Sequence, residues 1–142
     1  MKSKKIIGIL VVVLVAVTFL GIASAAEVTV GSQHFNLPDG FKENTTAAKE
    51  KVSSSNTPGS TATKTYVKSF YNGDKSVMIN VIELPAGSKL VLKEESGFVN
   101  RTINGVDGVY NPDTHQFKYG NGSNIIHIAA SGDSILEDFV MA

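Results

Sequence analysis

The sequence predicts an α+β fold, an antiparallel β-sheet of hairpins with a short C-terminal helix packed on one face. Three observations predict it. Apolar and polar residues alternate with a period of two in successive runs between Glu27 and Ala129. The tight-turn pairs Asn72-Gly73, Asn104-Gly105 and Asn121-Gly122 separate several of those runs. Near the end the spacing changes, and Ile135, Leu136, Phe139 and Val140 fall on one side of a helix.

The segment ahead of the sheet is of another kind. Lys2, Lys4 and Lys5 give a basic head, and no charged residue occurs from Ile6 to Ala26. The run ends in Ala23-Ser24-Ala25, so small residues stand where a signal peptidase reads an extended chain. This describes a secretory signal peptide cut between Ala25 and Ala26. The apolar run Ile6 to Ile22 has 17 residues, more than the roughly 7–15 of an ordinary signal. Taken to Ala26 it would make roughly 31 Å of helix, enough to cross roughly 30 Å of hydrocarbon. Two fates therefore fit: removal, or retention as an anchor through residues 6–26 with the lysines in the cytoplasm. Both make residues 1–25 an export segment and residues 26–142 a single extracytoplasmic domain.

Glu27 to Leu37 reads as a hairpin around Gly31-Ser32, with Val28, Val30, Phe35 and Leu37 on its apolar face. Pro38-Asp39-Gly40 closes it, and Phe41 returns as an apolar anchor. Lys42 to Lys51 is polar apart from Ala47 and Ala48, and is predicted to be a weak helix capped by Asn44 or Thr45, or a loop. Residues 53–63 hold no core-forming side chain and are predicted to be a flexible loop.

Thr65 to Leu84 is the strongest hairpin. A type I′ turn at Asn72-Gly73 would pair Phe70 with Lys75, Lys68 with Val77 and Tyr66 with Ile79. Tyr66, Phe70, Val77, Ile79 and Val81 then share one face, and Val67, Met78 and Ile82 the other. Two partly apolar faces put this pair in the middle of the sheet, with something packed on each side. Pro85-Ala86-Gly87 ends it, and Ser88 to Glu95 fits a strand or a turn or two of helix. Phe98 to Ile103 and Val106 to Tyr110 form a pair about Asn104-Gly105. Gln116 to Tyr119 and Asn124 to Ala129 form the last hairpin. It turns Phe117, Tyr119, Ile126 and Ile128 one way and Lys118, Ile125 and His127 the other. Ser134 and Glu137 read as a capping box for the helix.

Composition narrows the function. The chain has 13 basic and 13 acidic side chains. Beyond the export segment 10 basic and 13 acidic remain, a net −3 that argues against a nucleic-acid partner. No cysteine occurs, which excludes disulfides, thiolate catalysis and cysteine metal sites. The three histidines, His34, His115 and His127, show no metal-ligand spacing. No Gly-x-Ser-x-Gly elbow accompanies the serines. Asp107 and Asp113 lie in turn sequences without a calcium-loop spacing, and Gly120-Asn121-Gly122 precedes no helix that would make it a phosphate cradle. No cofactor or metal site is expected. Three sequons, at Asn44, Asn100 and Asn121, are candidate N-glycosylation sites.

The pieces taken together resemble a known group. They are Val28 to Phe41 (VTVGSQHFNLPDGF), Thr102 to Tyr110 (TINGVDGVY), Phe117 to Gly122 (FKYGNG) and Ile135 to Val140 (ILEDFV), behind an export segment. This is similar to small exported proteins of methanogenic archaea of the Methanobrevibacter kind. The resemblance implies an α+β domain at the archaeal cell surface, with N-glycosylation and with no catalytic residues to carry over.

The expectation for function is a non-enzymatic binding or interaction domain of the cell envelope, with an envelope or surface partner. Tyr66, Phe70, Tyr71, Tyr110, Phe117 and Tyr119 read first as core packing and cross-strand pairs; exposed together on one sheet face they would form the patch such a role would use. The alternative is a half-shell for a small apolar ligand or lipid, marked by an apolar cavity of about 300 Å³ or more under residues 53–63. Hydrolase chemistry requires a histidine within hydrogen-bond reach of a serine or an acid.

Overall fold

The computed structural model describes residues 26–46, 49–53, 63–92 and 95–140. The predicted export segment, with Ala25, and most of the predicted 53–63 loop lie outside the described residues. No helix among the described residues is long and apolar enough to cross a membrane.

Among the described residues the architecture is mainly antiparallel β with one short C-terminal helix, which agrees at that level with the predicted fold class. Strands β1 (Ala26–Val30) and β2 (Gln33–Leu37) form a separate hairpin. The main sheet contains β3 (Lys42–Glu43), β4 (Lys49–Ser53), β5 (Thr63–Asn72), β6 (Lys75–Glu83), β7 (Val99–Ile103), β8 (Val106–Asn111), β9 (Gln116–Asn121) and β10 (Asn124–Ala130). Its order is β3-β5-β6-β10-β9-β8-β7, with β4 pairing along β5 as well. Helix α1 spans Asp133–Phe139.

The first face of the main sheet makes the core. Phe70, Val77, Ile79, Val81, Ile126, Ile128, Phe117 and Tyr119 are buried there, the face read from the alternation. The β1–β2 hairpin contributes Val30 and Phe35, and α1 contributes Ile135, Leu136 and Phe139. A helix of seven residues is unstable alone. Burying each of its apolar side chains contributes roughly 1.5–3 kcal/mol, and Phe139 also meets Phe41 edge-on at 5.3 Å and Phe70 at 6.1 Å. The tip of the first hairpin is latched to the sheet. Ser32 N–H donates to Glu83 Oε1 at 3.0 Å, and Asn124 Nδ2 to Ser32 Oγ at 3.2 Å. Gly31 lies so close to the Tyr66 ring that a Cβ there would sit 2.7 Å from it.

Four details correct the sequence reading. The polar Lys42–Lys51 stretch supplies the edge strands β3 and β4 rather than a helix or loop. An edge strand needs backbone partners and no apolar face of its own. Asn44 caps no helix: its Oδ1 accepts from Thr46 N–H at 3.3 Å and from Thr46 Oγ1 at 2.7 Å, a local turn.

The β5–β6 register differs by two residues, with Phe70 opposite Val77, Lys68 opposite Ile79 and Tyr66 opposite Val81. Asn72 pairs with Lys75, and the turn is Gly73-Asp74, with φ +62° at Gly73. A positive φ at the first turn residue alone is the type II′ pattern. A slip of two keeps every side chain on its predicted face. The last hairpin shifts the same way, with Asn121 paired to Asn124 and the turn at Gly122-Ser123. The tight turn expected at Asn104-Gly105 does occur, with φ 51° and 79°, the type I′ pattern.

The capping box is absent. The N-cap of α1 is Gly132, without a side-chain cap, and Ser134 lies inside the helix. Ser88 to Leu92 forms neither a strand nor a helix.

Candidate functional site

The second face of the main sheet is the one the core does not use. Alternation on β5, β6, β9 and β10 brings Val67, Asn80, His127 and Lys118 into one row across four strands. Ile82 and Ile125 form the neighbouring row and Met78 and Ala129 the other. All of these are half-buried or exposed. Val91, Leu92 and Glu95, from the connection between β6 and β7, lie against this face.

Beneath that connection lies a cleft of about 260 Å³. Its apolar wall is Ile82, Val91, Leu92, Val109 and Ile125. Its polar groups are Lys118, Glu95 and His127. Lys118 is only 20% exposed, and its Nζ lies 3.0 Å from both Glu95 carboxylate oxygens and 4.5 Å from the Phe98 ring centre. Glu95 is 52% exposed. His127 Nε2 is 2.7 Å from Gln116 Oε1. Burial, helped by the charge of Lys118, pushes the His127 pKa down to about 4. The ring is therefore neutral at pH 7, and Lys118 is the cation of the cleft. Wider furrows of about 580 and 570 Å³ run beside β7 and β8, but they are more open to solvent and carry a larger polar share in their lining. A mostly apolar cleft with a few convergent polar groups is the better binding geometry.

A second polar cluster lies at the start of α1. Tyr110 Oη donates to Asp133 Oδ1 at 2.5 Å, and His115 Nδ1 is 2.7 Å from the same oxygen. Arg101 stands over the Tyr110 ring at 4.3 Å, reaches Glu137 at 3.3 Å and lies 4.0 Å from Asp133 Oδ2. The Tyr110 bond, with that of His115, holds the Asp133 carboxyl below its usual range. The same bond to Asp133, with burial, holds the Tyr110 hydroxyl above its own. These groups satisfy one another and tie α1 to β7, β8 and the turn before β9.

His34, His115 and His127 do not converge, and no group of side chains suited to a metal ion forms among the described residues. His34 pairs with Glu27 at 2.6 Å on the exposed first hairpin. His34 and His115 thus have the acid partner that a hydrolase would need. Among the described residues, no serine is hydrogen-bonded to any of the three.

Five of the six aromatic residues are packed, as the core reading expects, and the six do not form an exposed patch. Phe70, Tyr110, Phe117 and Tyr119 are core residues, Tyr66 packs against the core, and of the six only Tyr71 is exposed. Asn44, Asn100 and Asn121 are all exposed, Asn100 on the outer strand β7 and Asn121 at the end of β9. Ala26 is the first residue of β1.

Alternation had already grouped Lys118, Ile125 and His127. Val91, Leu92 and Glu95 join them from a stretch whose sequence fits strand or helix and whose described residues form neither. Comparison with protein-family models, with curated proteins and with solved structures returns no match.

Proposed function

We propose that this chain is a non-enzymatic binding domain of the archaeal cell envelope, exported by its first 25 residues and binding through the second face of its main sheet. The observation that carries the reading is the uneven use of the two faces. One face is sealed by a hairpin and a helix, while the other keeps Val67, Met78, Ile82 and Ile125 partly in water around the Lys118 cleft. Leaving aliphatic groups half-solvated costs stability, and a bound partner recovers it. The exposure of Asn44, Asn100 and Asn121 suits glycans on an outside surface.

The alternative, a half-shell for a small apolar ligand, draws support from the cleft under the β6–β7 connection, which at about 260 Å³ is smaller than the cavity that reading expects; the expected lid, residues 53–63, lies mostly outside the described residues. One titration examines the cleft. In the full-length chain held in a lipid nanodisc, 1-hexanol is expected to shift the methyl NMR signals of Ile82 and Ile125 saturably. Ile125→Asp is expected to abolish the effect with the circular dichroism unchanged. Unresponsive methyl signals would sink the cleft as a binding site. Export is tested separately by intact mass. A chain beginning at Ala26 means release, and a full-length chain in the membrane fraction means an anchored domain.

A further inference from the structure

We infer that the cleft under the β6–β7 connection takes a short apolar carboxylic acid, with Lys118 binding its carboxylate and Glu95 occupying that position in the free protein. The inference rests on reading the cleft as a binding site and adds the class of its ligand.

The first support is charge. Lys118 is the cation in a cleft otherwise walled by aliphatic groups, and its side chain is four-fifths buried. A cation so placed needs an anion beside it. Glu95 supplies one with both carboxylate oxygens at 3.0 Å, the approach a carboxylate ligand would make. The two partners are unequal. Lys118 is fixed in the middle of a sheet between β8 and β10, whereas Glu95 is half-exposed on a connection without regular structure. Displacing Glu95 returns it to water at little cost, because a half-exposed ion pair contributes little. The incoming acid keeps the charge pairing and adds apolar contact with Ile82, Leu92 and Ile125.

The second support is size. At about 30 Å³ per water in the liquid, 260 Å³ equals the volume of about nine waters. The five-carbon chain of hexanoate fits within that space, with its carboxylate taking the place of that of Glu95. Neutral His127 adds no competing charge. A cationic ligand would have to leave Lys118 buried without its counterion.

The test compares hexanoate, 1-hexanol and hexylammonium on the full-length chain in nanodiscs, read at the Ile82 and Ile125 methyl signals. Glu95→Gln removes the internal competitor. In that variant hexanoate is expected to bind about 10-fold tighter than hexanol, the value of one charge-assisted contact, and tighter than it binds the parent. Lys118→Met is expected to erase the preference while hexanol still binds, and Lys118→Arg to keep it. If hexanol binds but hexanoate is no tighter in Glu95→Gln, the acid assignment fails and the apolar cleft stands. In the parent, hexylammonium binding as tightly as hexanoate also overturns the assignment, since Glu95 would then be the anchor. If none of the three binds, both readings fail.

Discussion

Gly108 offers a test of the packing between β8 and β9. It pairs with Tyr119, and a Cβ built on it would lie 2.3 Å from the Lys118 carbonyl oxygen and 2.7 Å from the edge of the Phe117 ring. Ordinary contact begins at 3.4 Å, so the strands would have to part by 1.1 Å at this point. The Phe117 ring is fully buried and has no space to retreat into. Overpacking of this kind costs roughly 1–3 kcal/mol, and a stretched ladder hydrogen bond adds about 1 kcal/mol. We expect Gly108→Ala to lose ~3–4 kcal/mol, a large part of the 5–15 kcal/mol typical of a domain. In melting temperature that is a fall of roughly 12–16 °C. Gly105→Ala is the control. That position has φ +79° and nothing near its Cβ, so it carries only the left-handed penalty of roughly 1–2 kcal/mol. Urea unfolding followed by far-ultraviolet circular dichroism measures both. Gly108→Ala within 0.5 kcal/mol of the parent, or no worse than Gly105→Ala, would refute the close approach of β8 to β9.

Three other outcomes are expected. Between pH 6.5 and about 4 the unfolded chain protonates His127 while the folded chain does not, so stability falls as pH falls through that window. The full loss is ~3 kcal/mol, and urea titrations at pH 7 and 4.5 should show a smaller loss in His127→Gln than in the parent. Phe139→Ala should cost ~4 kcal/mol, because it empties a fully buried site against Phe41 and Phe70, whereas Ser134→Ala should stay within 0.5 kcal/mol for want of a capping bond; one pair of denaturation curves separates them. The folded chain keeps the Tyr110 proton above pH 10, where the unfolded chain loses it, so stability should decline as pH rises past 10. Tyr110→Phe should remove that decline in thermal melts and cost ~1 kcal/mol at pH 7.

The strands and their faces were legible because period-two alternation is local and survives a two-residue slip. The β5–β6 turn was misplaced for the same reason, since Asn72-Gly73 and Gly73-Asp74 serve the pattern equally well. The edge strands β3 and β4 were hidden because β5 recruits them through backbone groups, which leave no trace in the pattern of Lys42 to Ser53. The aromatic residues were legible as core, through Phe70 and Phe117, and their burial leaves no exposed aromatic patch. Of the cleft, Lys118, Ile125 and His127 were readable from one strand pair. Glu95 was not, because its approach to Lys118 depends on the path of an irregular connection across the sheet. The polar tie of Asp133 to Tyr110, His115 and Arg101 joins four separate segments, and nothing local announces it.

The start of β1 bears on the order of events during export. Ala26 already pairs with Leu37, and Glu27 with Asn36. A signal peptidase must hold the chain on both sides of its cut, so it competes with β2 for the same backbone. If residues 1–25 are the export segment proposed above, cleavage after Ala25 would have to precede hairpin closure. On that reading the choice between a released and an anchored domain would turn on how fast the Gly31-Ser32 turn closes.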